Sequence, residues 1–74
     1  MNWRGAITVG ARRLHVGATD DGRCSLWVVR DGAPVVLVRG RVRAMVELAD
    51  AELVNGDAAD VKILSKWLKR RIAT

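Results

Sequence analysis

An Asp31-Gly32 pair between two runs of strand-forming residues is the feature that most limits what this chain can fold into. Asp-Gly favours a two-residue turn with positive φ at both central positions, and such a turn joins adjacent antiparallel strands. Before it stands Cys24–Arg30, rich in Leu26, Trp27, Val28 and Val29. After it stands Pro34–Arg39, with Pro34 tolerable at a first strand position or on an edge. Upstream, Gly10-Ala11 separates Ala6–Val9 from Arg12–Val16, and Thr19-Asp20-Asp21-Gly22 leads into the Cys24 run. Residues 1–40 are therefore expected to form a four-stranded antiparallel β-meander in sequence order.

Residues 41–48 fit two patterns. Val42, Ala44, Val46 and Leu48 alternate with Arg41, Arg43, Met45 and Glu47, which suits a fifth strand. At helical period, Val42, Met45, Val46, Ala49 and Leu53 share one face, and the stretch is rich in helix formers. We read a helix over 42–55, stopped by Asn55-Gly56, with the strand as the alternative. Asp57 then reads as the N-cap of a last helix over 57–73, with Asp60 in its first turn. Val61, Leu64, Leu68 and Ile72 form its apolar stripe, and Lys69, Arg70 and Arg71 sit where the helix dipole favours cations. The expected fold class is α+β: a four-stranded meander followed by two C-terminal helices.

With 74 residues, half of them apolar, the chain makes one domain (1–74) with a small core. A homodimer would bury further surface. No run of about 18 apolar residues exists, so no membrane span is expected. Gly5 to Val9 is too short for a signal-peptide core, and Cys24 is the only cysteine, which fits a reducing compartment. The expected location is the cytoplasm of a bacterial or phage-infected cell.

Catalytic chemistry finds little support. His15 is the only histidine, and with Cys24, Ser25 or Ser65 it would make at most a nucleophile–base pair lacking an orienting carboxylate. It reads instead as a partly exposed sheet histidine. One His and one Cys cannot complete a zinc site, and the glycines do not form a phosphate loop. No enzyme activity, metal or cofactor is expected.

Charge is what remains. Ten Arg and three Lys outweigh eight acids, giving +5. Residues 1–46 carry net +5, 47–61 net −5 and 62–74 net +5, so the acidic block can be satisfied internally. The candidate partner-binding residues fall in two groups. Lys62, Lys66, Lys69 and Arg70 share the outer face of the last helix, with Arg71 beside them and Trp67 along one edge. Arg39, Arg41 and Arg43 surround Gly40, while Arg12 and Arg13 point to opposite faces of their strand. A solvated helix face that follows the dipole would look the same as the first group. Trp67 suits core-edge packing or an exposed anchor, Trp27 suits the core, and Trp3 suits the cover of a sheet edge.

Three functional readings follow. The first is a non-enzymatic interaction module that occludes a site on a protein or nucleoprotein complex with an acidic surface. In type, though by no shared motif, it resembles the small inhibitors encoded by phages and mobile elements, anti-CRISPR proteins among them. The second is direct DNA or RNA binding through the basic last helix; the lack of Phe and Tyr argues against a stacking platform. The third is a dimeric antitoxin or regulator that pairs through a sheet edge.

Overall fold

A computed structural model describes residues 3–48 and 50–73, and the side chains of 4–48 and 50–72. Five strands and two helices follow in order: β1 (Trp3–Val9), β2 (Arg12–Ala18), β3 (Arg23–Arg30), β4 (Ala33–Arg41), α1 (Val42–Glu47), β5 (Glu52–Leu53) and α2 (Ala58–Ala73). The strands form one antiparallel sheet in the order β1-β2-β3-β4-β5. The expected meander is present, followed by the two helices, and the turns fall where the glycines stand. Asp31 and Gly32 both take positive φ, 51° and 76°, as the two-residue hairpin requires.

The helix expected over 42–55 is much shorter, and the fifth strand lies beyond it, not at 41–48. α1 ends at Glu47 because Leu48 adopts φ 59°, ψ 27° and its N–H turns back to the carbonyls of Ala44 and Met45. The chain then lays Glu52 and Leu53 against Arg39 and Val38 of β4. Backbone satisfaction explains this choice over a longer helix. The Leu37 carbonyl accepts from Val54 N at 3.0 Å and Asn55 N at 3.3 Å, and Asn55 Nδ2 donates to the Val36 carbonyl at 3.0 Å. A helix through 55 would strip β4 of these partners. Asn55-Gly56 therefore clamps a sheet edge and does not stop a helix. Leu53, expected on the buried helix face, is 47% exposed; Ala49 lies outside the described residues.

α2 begins as its sequence suggests. Asp57 Oδ1 accepts from Ala59 N at 3.0 Å and Asp60 N at 3.2 Å, and Asp60 Oδ2 accepts from Asp57 N at 3.1 Å. Each carboxylate thus caps the other's backbone. Asp60 is 2% exposed, and its second oxygen lies 3.5 Å from the Arg12 guanidinium. At that distance the contact is an ion pair, not a hydrogen bond.

The described residues cover only one face of the sheet. Leu14, Val16, Ala18, Cys24, Leu26, Leu37 and Val38 meet Met45, Val61, Leu64 and Leu68 in a single core. Ser65 Oγ donates to the Val46 carbonyl at 3.2 Å and ties α2 to α1. The apolar stripe of α2 ends at Leu68, since Ile72 is 57% exposed. Trp67 packs at the edge of the core, its ring over Gly5, where a Cβ would overlap it. Arg71 lies over the same ring at 5.2 Å. A β-bulge interrupts the β3–β4 ladder: Leu26 pairs with Val38 but Trp27 pairs with Val36, leaving Leu37 extra. No helix among the described residues is long and apolar enough to cross a membrane.

Candidate functional site

Strand pleating assigns the uncovered face. In β2, Leu14, Val16 and Ala18 are buried in the core, so Arg13, His15 and Gly17 point the other way. In β3, Cys24, Leu26 and Val28 face the core side, which turns Arg23, Ser25 and Trp27 outward. Trp27 was expected in the core; it is instead half-buried on the open face, because its neighbours Leu26 and Val28 occupy the core side.

Register then aligns these residues in rows across the strands. One row runs Arg4, Gly17, Ser25, Arg39 and Glu52 from β1 to β5. The next runs Ala6, His15, Trp27 and Val36, and Arg23 lies opposite Arg41 at the near end. Within the second row His15 and Trp27 stack, with centroids 5.7 Å apart and planes 21° from parallel. The two small residues beside this stack form the floor of a cleft of about 340 Å³, walled by Trp27, Arg4, Arg23 and Arg39. A second cleft of about 440 Å³ shares Arg23 and Arg39 and continues past Gly40 to Arg41, Asp50 and Glu52.

Arginine outnumbers acid on this face, with Asp50 and Glu52 at its β5 end. Arg39 Nε is 3.4 Å from Glu52, and Arg23 Nε is 3.7 Å from Asp21, all four side chains being well exposed. Exposed pairs of this kind contribute little to stability and leave the guanidinium available. Arg4, Arg13 and Arg41 form no ion pair among the described residues. Placing Arg23 and Arg41 directly opposite one another is unfavourable for the sheet alone, because like charges repel across a strand pair. The Thr19 hydroxyl donates to the Asp21 carboxylate and holds its pKa below the usual value.

The earlier candidates separate on the structure. Arg39 and Arg41 belong to the open face, whereas Arg43 lies on α1 and lines a groove with Val42, Val46 and Ile72. Lys62, Lys66, Lys69 and Arg70 are exposed on α2, away from the clefts. Arg12 joins Asp60 on the core side, so Arg13 is the member of that pair on the open face. Arg4, Arg23 and Trp27 are not among the sequence candidates for partner binding, while Arg13 enters there only as one of two arginines on opposite faces and His15 and Ser25 only as a nucleophile–base pair. The alternation Leu14, Val16, Ala18 would have placed His15 outward, and the register that pairs it with Trp27 came only from the fold.

Of the partners weighed for His15, Ser25 shares its face of the sheet and Cys24 does not. Cys24 lies in the core and His15 on the opposite face, and burial pushes the thiol up to about 11. No group of three or more His, Cys, Asp or Glu side chains among the described residues could hold a metal ion. Comparison with protein families, with curated proteins and with solved structures finds no match for this chain.

Proposed function

We propose that this chain is a non-enzymatic binder of single-stranded nucleic acid, and that the open face of its sheet is the binding surface. The observation that carries the reading is the stacked His15–Trp27 pair beside a small-residue cleft walled by arginines. Single-strand binders combine a cationic path for the backbone with rings on which bases stack, each stacked base being worth about 1–3 kcal/mol. Trp27 and His15 offer the rings that Phe and Tyr would otherwise supply. Gly17 and Ser25 leave room beside them for a planar base, and Arg4 and Arg39 flank that space with planar donors suited to phosphate.

The direct test is a titration of labelled oligo-dT and oligo-rU with the purified chain at low and moderate salt. Affinity that falls steeply with salt and drops on Trp27→Ala supports the reading. Absence of binding at low salt sinks it.

A second reading keeps the same face but changes the partner: occlusion of a site on a protein or nucleoprotein complex, in the manner of a small phage-type inhibitor. It is favoured by Val29, 56% exposed on the open face beyond Trp27, which extends the aromatic pair into an apolar centre rimmed by arginine. An interface of that kind would hold its affinity as salt rises.

A further inference from the structure

The outer side of α2 is a second cationic surface, and the sheet and its core separate it from the open face. Lys62, Lys66 and Lys69 are exposed and follow at four and three residues, which puts them on one stripe. The helix contains a single acid, Asp60, which is 2% exposed and engaged with Arg12 and its own N-terminus. None of the three lysines forms an ion pair among the described residues. The stripe also lacks a stacking ring, because Trp67 is committed to Gly5 and the core edge.

Such a surface reads charge and nothing else. Ammonium groups bind phosphate as point charges, without the planar geometry that distinguishes one base from another. A rise of 1.5 Å per residue places the stripe over about 10 Å of helix. Duplex DNA presents one charge per ~1.7 Å of axis, so about six phosphate charges lie along that length. A rigid row of point charges complements this dense, stiff polyanion.

We propose that α2 binds the phosphate backbone of duplex nucleic acid through Lys62, Lys66 and Lys69, so that the chain tethers a duplex on one side and a single strand on the other. The tethering rests on the sheet-face reading above; the duplex surface does not.

The experiment places duplex DNA on beads and adds the full chain with labelled, non-complementary oligo-dT. Wild type retains the labelled strand. Lys62→Gln/Lys66→Gln/Lys69→Gln lowers the slope of log affinity for duplex against log salt by about 2–3, at ~0.9 per phosphate contact. It also abolishes retention, while oligo-dT binding in solution and the unfolding midpoint stay as in wild type. Trp27→Ala stays on the duplex but releases oligo-dT. An unchanged duplex slope in the lysine variant overturns the proposal, as does wild type that fails to hold duplex at low salt. Stripe-dependent binding of poly-glutamate without binding of duplex overturns it too, since the surface is then a dock for acidic protein. Duplex binding that needs the lysines, with oligo-dT bound in no assay, removes the tether and the sheet-face reading together and leaves the duplex surface standing.

Discussion

His15 and Trp27 sit directly opposite one another on β2 and β3, and their rings stack at 5.7 Å on the side of the sheet facing away from α1 and α2. Two residues of this size could have been drawn into a core as small as this one. Their outward placement leaves the interior to aliphatic side chains, Cys24 and Met45.

Replacing Trp27 with Ala should separate binding from stability. Loss of a base stack worth about 1–3 kcal/mol lowers affinity for oligo-dT roughly 5- to 150-fold. The thermal midpoint should move little, since the ring is half-buried and outside the core cluster. Fluorescence anisotropy and a melt on the same samples check both. Equal affinity in the two proteins would remove Trp27 from the site.

Gly5→Ala should do the reverse. A Cβ at that position overlaps the Trp67 ring, which must shift off β1. Overpacking of this kind costs about 1–3 kcal/mol, and denaturant unfolding would report it. Pairing the change with Trp67→Leu should recover part of the loss, because the smaller side chain frees the space.

Asp60→Ala removes a buried carboxylate that both caps the Asp57 backbone and faces Arg12. Loss of one cap bond with its charge interaction is worth about 1–2 kcal/mol. Arg12→Ala should add little on top of it, and a double-mutant cycle measures that coupling.

Cys24 gives the fold an alkaline weakness. Its thiol is raised from 9.0 to about 11 because burial disfavours the thiolate. The folded state then holds a proton that the unfolded chain has already lost. This contribution is fully present below pH 9.0 and disappears as pH rises through about 11. Unfolding curves for wild type and Cys24→Ala across that window should converge, the variant lacking the decline.

The strands and α2 were readable because each is set by neighbours in sequence: Gly10-Ala11 and Asp31-Gly32 for the turns, Asp57 and Asp60 for the helix start. Residues 48–55 were not, because the competition there is tertiary. Local propensity favours helix, but the carbonyls of Val36 and Leu37 need donors from Val54 and Asn55. Trp27 was misplaced for a related reason. A run of Leu26, Trp27, Val28 and Val29 hides its own alternation, and only pairing with β2 reveals which members face inward. The arginines of the open face escaped notice because they are scattered in sequence, from Arg4 to Arg41, and meet only through register.

The extra residue at Leu37 has an effect beyond its own packing. It lets Leu37 and Val38 both turn to the core, and so reverses the parity of every later position in β4. Were the bulge flattened with every residue kept, Gly40 would face outward and Arg39 and Arg41 would be driven toward the apolar interior. Deleting Leu37 would leave Val36 opposite Trp27 and Val38 opposite Leu26, so the charges of β4 would keep their surface and one core side chain would be lost, whereas deleting a paired residue such as Val38 would shift the pleat against β3. Lengthening the Gly10-Ala11 or Asp31-Gly32 turns by one residue leaves that parity alone. Tolerance to insertion and deletion along this chain should consequently follow the phase of the strands more closely than the burial of the residue removed.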